Sequence, residues 1–345
     1  VFLVTGLALA GIQFIPAVEY TRLSVRATGT YNEMSGGFPI IDLIQILLPG
    51  QVSTYSPLYT GIVAILLASW VAVTRPSRQT TFWALVAVVS LLISFGGNTF
   101  FYSPLYLVGP GFSIFRGQER WAFAFAFSLS VLVGYGFKAL IAHKEVVADH
   151  SRQLSRVAGY LAGFAILLTL AFFYGLTDAG WSQNSVFYGL LEAATILTLV
   201  TVLAWLLWRL APRLSPPVLT AATVGLICFD LFSVNWQTNL FPQPPEWHTQ
   251  MPSPVQAIKA DAEQSPNEPY RVYNEYRIYD NYGVPFDVED LWGASPLRPS
   301  RYDEFLAPPM PIERAWALVN VKYVISWREE LVFRSCSLCR GAAAV

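Results

Sequence analysis

Seven stretches of the chain, at residues 1–15, 57–73, 81–95, 121–140, 157–176, 187–210 and 217–234, run apolar with no Lys or Arg in their interiors. A hydrocarbon layer about 30 Å thick takes roughly 20 helical residues, so stretches of this kind read as membrane spans. They show no alternation of period two, which argues for helices rather than a barrel. The first and third are short, and the third ends at Gly96-Gly97. The first opens at Val1 with neither an initiator Met nor the basic region of a signal peptide, so the seven read as the later part of a longer bundle. Residues 335–345 (SCSLCRGAAAV) look unlike the segment before them, which leaves the natural C-terminus open.

Composition agrees. The chain is 54% hydrophobic and 13% charged, against about a quarter charged in soluble domains. Its net charge of -1 offers no basic excess for nucleic acid. Of the three cysteines, Cys228 lies in an apolar stretch, and Cys336 with Cys339 forms one CxxC without the second pair of a four-ligand zinc site. No GxSxG, HExxH, P-loop or GxGxxG pattern stands in a fitting context, so hydrolase, metalloprotease and nucleotide-binding readings lack support.

Short loops rich in Lys and Arg stay in the cytoplasm. Three loops fit: Arg75 with Arg78, Lys138 and Lys144 with Arg152 and Arg156, and Arg209 with Arg213. They alternate with the Asp178 turn, which has no basic residue. Parity then puts the longer loops 18–56 and 96–120, and the tail after residue 234, outside. Trp121, Trp181 and Trp236, with Tyr59 and Tyr188, sit near span ends as interfacial aromatics do.

The outer loops hold the candidate chemistry. Glu19, Arg22 and Arg26 follow the first span at near-helical spacing and could grip an anionic head group, or simply end the span among lipid head groups. PIIDLIQILLPG (residues 39–50) is too short to cross and reads as a re-entrant or interfacial helix. The loop GGNTFFYSPLYLVGPGFSIFRGQERW ends in Arg116, Glu119 and Arg120. If the next helix starts early, the two arginines share a face and can bind phosphate; the alternative is an anchored helix start with a local ion pair. Glu192 and Asp230 fall within spans, Asp230 near an outer end where it could reach water. No series of mid-depth polar groups marks an ion path.

From residue 235 the chain turns proline-rich and charged, with PQPPEW as a spacer. Residues 254–262 read as a short helix, YRVYNEYRIY as one or two strands, and IERAWALVNVKYVIS as a helix running into a strand. The aromatic and acidic segment between them suits either a sugar-contacting surface or ordinary packing of a small α+β domain. The expected fold is mainly α: a polytopic helix bundle of about seven spans (1–234) followed by a small extracytoplasmic α+β domain (235–345).

IQFIPAVEYTRLSVR, LLPG, SPLYLVGPGFSIFRGQERW, WGASPLRPSRYDEFL and LVNVKYVIS together resemble the YfhO-like bacterial membrane proteins, relatives of the GT-C polyprenyl-phosphate-sugar-dependent glycosyltransferases. Their order and spacing agree over most of the chain. One departure is Arg116-Gly117-Gln118-Glu119-Arg120, where the family often has an FRxPxR form. The resemblance implies an enzyme of the bacterial cytoplasmic membrane that moves a sugar from a polyprenyl-phosphate-linked donor to a cell-envelope polymer or glycolipid on the outer face. It implies Arg116 and Arg120 at the carrier phosphate, with Glu119, Glu19, Arg22 and Arg26 in support, and a catalytic base in an earlier outer loop. No cofactor follows from the residues, and the donor sugar and any divalent metal stay open. A transporter or lipid flippase, and a non-catalytic anchoring protein, are the other readings; the first would need inverted repeats, which the sequence does not show.

Overall fold

The computed structural model describes residues 2–50, 58–141, 144–178, 185–235, 249–275, 277–279, 281–293, 297–306, 311–328 and 343–344. Trp181, Trp236, the PQPPEW spacer, Cys336 and Cys339 lie outside them. The chain divides into two units, one within Thr30–Phe241 and the other within Val1–Gly29 and Pro242–Val345.

The first unit is helical. Its elements are α2 (Tyr31–Met34), α3 (Ile62–Thr74), α4 (Arg78–Ser94), α5 (Tyr102–Val108), α6 (Ala122–Ile141), α7 (Lys144–Asp178), α8 (Ser185–Leu210) and α9 (Pro216–Asn235). Among the described residues, four helical stretches are long and apolar enough to cross a membrane: Gln118–Ile141, Val147–Thr177, Phe187–Arg213 and Pro216–Val234. The apolar helices α3 and α4 are shorter. One core joins Leu67 and Trp70 of α3, Leu132 of α6, Ala158 and Ala165 of α7, Leu197 and Trp208 of α8, and Leu226 of α9. Small residues set the closest approaches. A Cβ on Gly136 would stand 2.7 Å from the Leu67 carbonyl oxygen, so α3 and α6 touch only because that position is Gly. The Thr169 and Thr198 hydroxyls, 3.0 Å apart, join α7 to α8.

Two expectations change. Arg152 and Arg156 stand on α7 and not in a loop, because no Gly or Pro interrupts the helix between Lys144 and Ala158 and its inward face buries Val147, His150 and Leu154. Asp230 does not reach water. It is fully buried on α9, where its carboxylate accepts the Tyr59 hydroxyl and, at 3.2 Å, the backbone N–H of Val63. That N–H is one of the four donors that every helix start leaves unpaired, so Asp230 completes the first turn of α3 from another helix. Gly61 precedes α3 with φ +90, and a Cβ there would meet Asp230 Oδ2 at 3.1 Å.

The second unit opens with α1 (Phe2–Leu23), which continues through Pro16 beyond the expected span end. After it, Val25 N–H donates to the Arg298 carbonyl at 2.9 Å, and Ser24 bridges Pro299. This pairing is why the first 29 residues cluster with the tail and not with the helices expected beside them. The tail holds α10 (Ser253–Ala262), β1 (Arg271–Asn274), α11 (Gly283–Phe286), α12 (Ser300–Leu306), α13 (Ile312–Leu318), β2 (Val321–Ile325) and β3 (Ala343–Ala344). The strands pair in parallel in the order β1-β2-β3. Val255 and Ile258 of α10 pack with Val272, Tyr282, Phe286 and Tyr323 on one side, and Trp316 packs with Val321, Val324 and Leu291 in a second cluster. Beyond β1, Asn274 folds the chain back: its side-chain Oδ1 accepts Arg277 and Ile278 N–H, so the second half of YRVYNEYRIY turns away from the strand.

Asp230→Ala strands the Tyr59 hydroxyl and an α3 N–H in an apolar setting, and is expected to lower stability by about 1–3 kcal/mol, read from unfolding in mixed micelles. Asp230→Asn keeps an acceptor and is expected to cost less. The Tyr282 hydroxyl is buried without a hydrogen-bond partner among the described residues, and its phenol is pushed above the ordinary range by burial and then by Asp290. Tyr282→Phe is therefore expected to leave thermal stability equal or higher; a clear loss would mean that the hydroxyl is satisfied.

Candidate functional site

In the helical unit, the two long loops assigned to the outer side interlock through backbone groups. Phe38 N–H donates to the Ser94 carbonyl at 3.0 Å, Gly97 N–H to Ser35 at 2.7 Å and Gln118 N–H to Gly36 at 2.9 Å. The Asn98 side chain donates to the Gly37 and Phe38 carbonyls. At two glycines the crossing leaves no space for a side chain. A Cβ on Gly37 would lie 2.4 Å from the Phe95 carbonyl carbon, and one on Gly96, which has φ +52, would lie 2.3 Å from the Ser35 oxygen.

Buried polar side chains fill the crossing. Gln118 donates its amide to the Phe115 carbonyl at 2.8 Å and reaches the Tyr102 hydroxyl oxygen at 3.2 Å. The Tyr102 hydroxyl lies 2.8 Å from the Phe112 carbonyl and 3.0 Å from that of Met34. Burial, and after it the neighbouring Tyr31 and Tyr106, raises the Tyr102 phenol above its usual range and keeps it a donor. Tyr31 and Tyr106 meet edge to face, and Phe112 stacks on Trp121.

Arg116 and Arg120 are exposed at the end of this framework, and Glu119 is half-buried between them. None of the three makes an ion pair or side-chain hydrogen bond among the described residues, so the local ion pair offered as the simpler reading does not form there. The next helix does not start early enough to give the arginines one face. Gly117 is left-handed (φ +84), residues Gln118–Trp121 make a 3₁₀ turn, and α6 begins at Ala122. A Cβ on Gly117 would approach Glu119 Oε1 to 3.0 Å, so the turn depends on glycine.

The remaining expected residues belong to the other unit. Glu19 and Arg22 are exposed, three apart on α1, and share a shallow recess of about 530 Å³ with Phe14, Ile15, Val18 and Leu23. Arg26 is half-buried in the 3₁₀ turn Val25–Thr28, beyond the helix. In the tail, the aromatic and acidic segment is engaged in its own packing. Arg298 covers Trp292 at 4.9 Å and pairs with Asp303 at 3.0 Å, while Trp292 contacts Tyr302.

Asp42 is a residue that sequence reasoning passed over. It stands in the 3₁₀ helix Ile40–Ile46, 1% exposed, and accepts the Gln45 amide at 2.8 Å. At three residues per turn, Asp42 and Gln45 face one way, inward, while Ile40, Ile41, Leu43 and Ile44 are exposed. Such an inverted pattern suits an apolar surrounding, and the period of three was its only sequence signal. No group of three or more His, Cys, Asp or Glu able to hold a metal occurs among the described residues.

No protein-family model matches the chain. No curated protein matches it either. Nor does any solved structure.

Gly37→Ala and Gly96→Ala each force a Cβ into backbone and are expected to loosen the crossing by about 1–3 kcal/mol. Increased cleavage in loops 30–50 and 96–120 by added protease, with the long helices still protected, would register it.

Proposed function

We propose that the chain belongs to a membrane glycosyltransferase of GT-C type, akin to the YfhO-like proteins, that moves a sugar from a polyprenyl-phosphate carrier to an envelope acceptor outside the bacterial cytoplasmic membrane. In this reading the apolar stretches make about seven spans and the tail domain lies outside. The observation that carries it is the arginine-bearing loop. Its backbone is held by a second loop, and its two guanidiniums stand exposed without a carboxylate partner among the described residues. Arginine forks match phosphate oxygens in pairs and stay charged at any physiological pH. As the bond from sugar to phosphate breaks, negative charge gathers on the carrier, and fixed positive charge lowers the barrier. Asp42 adds a buried carboxylate within the same interlocked region, although no partner chemistry assigns it a catalytic step.

Transfer is measured with the purified protein in liposomes containing a polyprenyl-phosphate sugar. Arg116→Ala and Arg120→Ala are each expected to reduce transfer about a hundredfold, on the scale of one lost charge-stabilising donor, with thermal stability unchanged. Full transfer by both variants would remove the site assignment. Solute or lipid flux with no transfer would favour a transporter or flippase.

A further inference from the structure

The arginines of α7 and α8 gather at a second place in the helical unit. Arg152 and Arg156 are one turn apart on α7, and Arg209 and Arg213 lie at the end of α8 and in the 3₁₀ turn Ala211–Arg213. All four line one open recess of about 760 Å³ that no Asp or Glu enters. None of the four has an ion pair among the described residues. Like charges four residues apart on a helix repel, and here two such pairs converge.

A second, independent feature lies in the same wall. Trp208 lines the recess, its side chain is fully buried, and its indole N–H has no hydrogen-bond acceptor among the described residues. A buried indole N–H ordinarily finds one. Gly159 lets the Trp205 ring pack closely on α7, since a Cβ there would come within 3.1 Å of that ring, and the Arg209 guanidinium lies 5.4 Å from the ring centre.

We propose that this recess binds an anionic phosphate group, with the four arginines as charge partners. Its volume falls within the range of small-molecule sites. The phosphate has two sources with the same chemistry, the headgroup of an anionic membrane lipid and free inorganic phosphate.

The full chain in mixed micelles of phosphatidylglycerol and phosphatidylcholine is examined by native mass spectrometry. Wild type is expected to retain the anionic lipid over the zwitterionic one by about tenfold or more, the scale of one charge-assisted contact. Arg152→Gln/Arg156→Gln and Arg209→Gln/Arg213→Gln are each expected to abolish that preference. If a double Gln variant does not elute as a monodisperse species, the charge-preserving Arg152→Lys/Arg156→Lys variant replaces it. That variant is expected to lose about half the preference or more, because lysine lacks the fork. Displacement of the lipid by inorganic phosphate, but not by chloride at equal ionic strength, would assign the site to free phosphate; resistance to both would assign it to the headgroup. Equal retention of the two lipids without phosphate binding, or unchanged preference in the arginine variants, would overturn the proposal.

Discussion

A helix that begins among buried side chains leaves its first N–H groups without water to bind, and in this chain the Asp230 carboxylate meets that demand for α3. The consequence reaches beyond one hydrogen bond. Because the acceptor sits on α9 and the Tyr59 hydroxyl shares it, the start of α3 is pinned to a helix more than 150 residues later in the chain. Gly61 permits the approach, and Leu67 and Trp70 follow into the common core with Leu132, Leu197 and Leu226. A buried carboxylate that would be costly alone becomes a fixed joint once its oxygens are shared between a hydroxyl and a backbone donor.

The same requirement explains the interlocked loops. Irregular backbone shielded from water must satisfy its N–H and C=O groups by other means, and residues 34–38, 94–98 and 118 do so by pairing with one another. That division of labour frees side chains. Gln118, Tyr102 and Asn98 are spent on carbonyls of the crossing, whereas Arg116 and Arg120 are spent on nothing among the described residues and remain available to an anion. Gly117 separates the two roles: it turns the chain between an arginine before the 3₁₀ segment and one within it.

Long apolar periods were plain in the sequence, and the stretch 121–140 lies within one residue of α6 at Ala122–Ile141. The tail elements were legible for a similar reason. Pro254 opens a helix that ends at Ala262, and the shift from IERAWAL to VKYVI marks a change of period that the chain obeys. Polar residues inside apolar runs were not legible. Hydropathy places Asp230 near a span end, but only the fold decides whether a Tyr and an N–H await it there or water does. Asp42 is hidden by a period of three that few sequence readings seek, and Gly37 and Gly96 look like ordinary loop glycines until each meets the other strand of the crossing.

Arginine is used in two contrasting ways. In the tail, Arg271 pairs with Glu289, Arg298 with Asp303 and Arg328 with Glu275, so the guanidinium charge is cancelled locally and holds exposed segments in register. Such exposed pairs contribute little to stability, and their role is geometric. Along α7 and α8, and in the loop before α6, arginines occur in pairs that make no ion pair among the described residues. A chain with 23 acidic side chains for 22 basic ones has acids enough to neutralise these positions. Leaving them unpaired beside a buried indole N–H, or at the rim of a rigid loop, keeps positive charge where an external anion can complete it, and that is the physical basis on which both phosphate assignments rest.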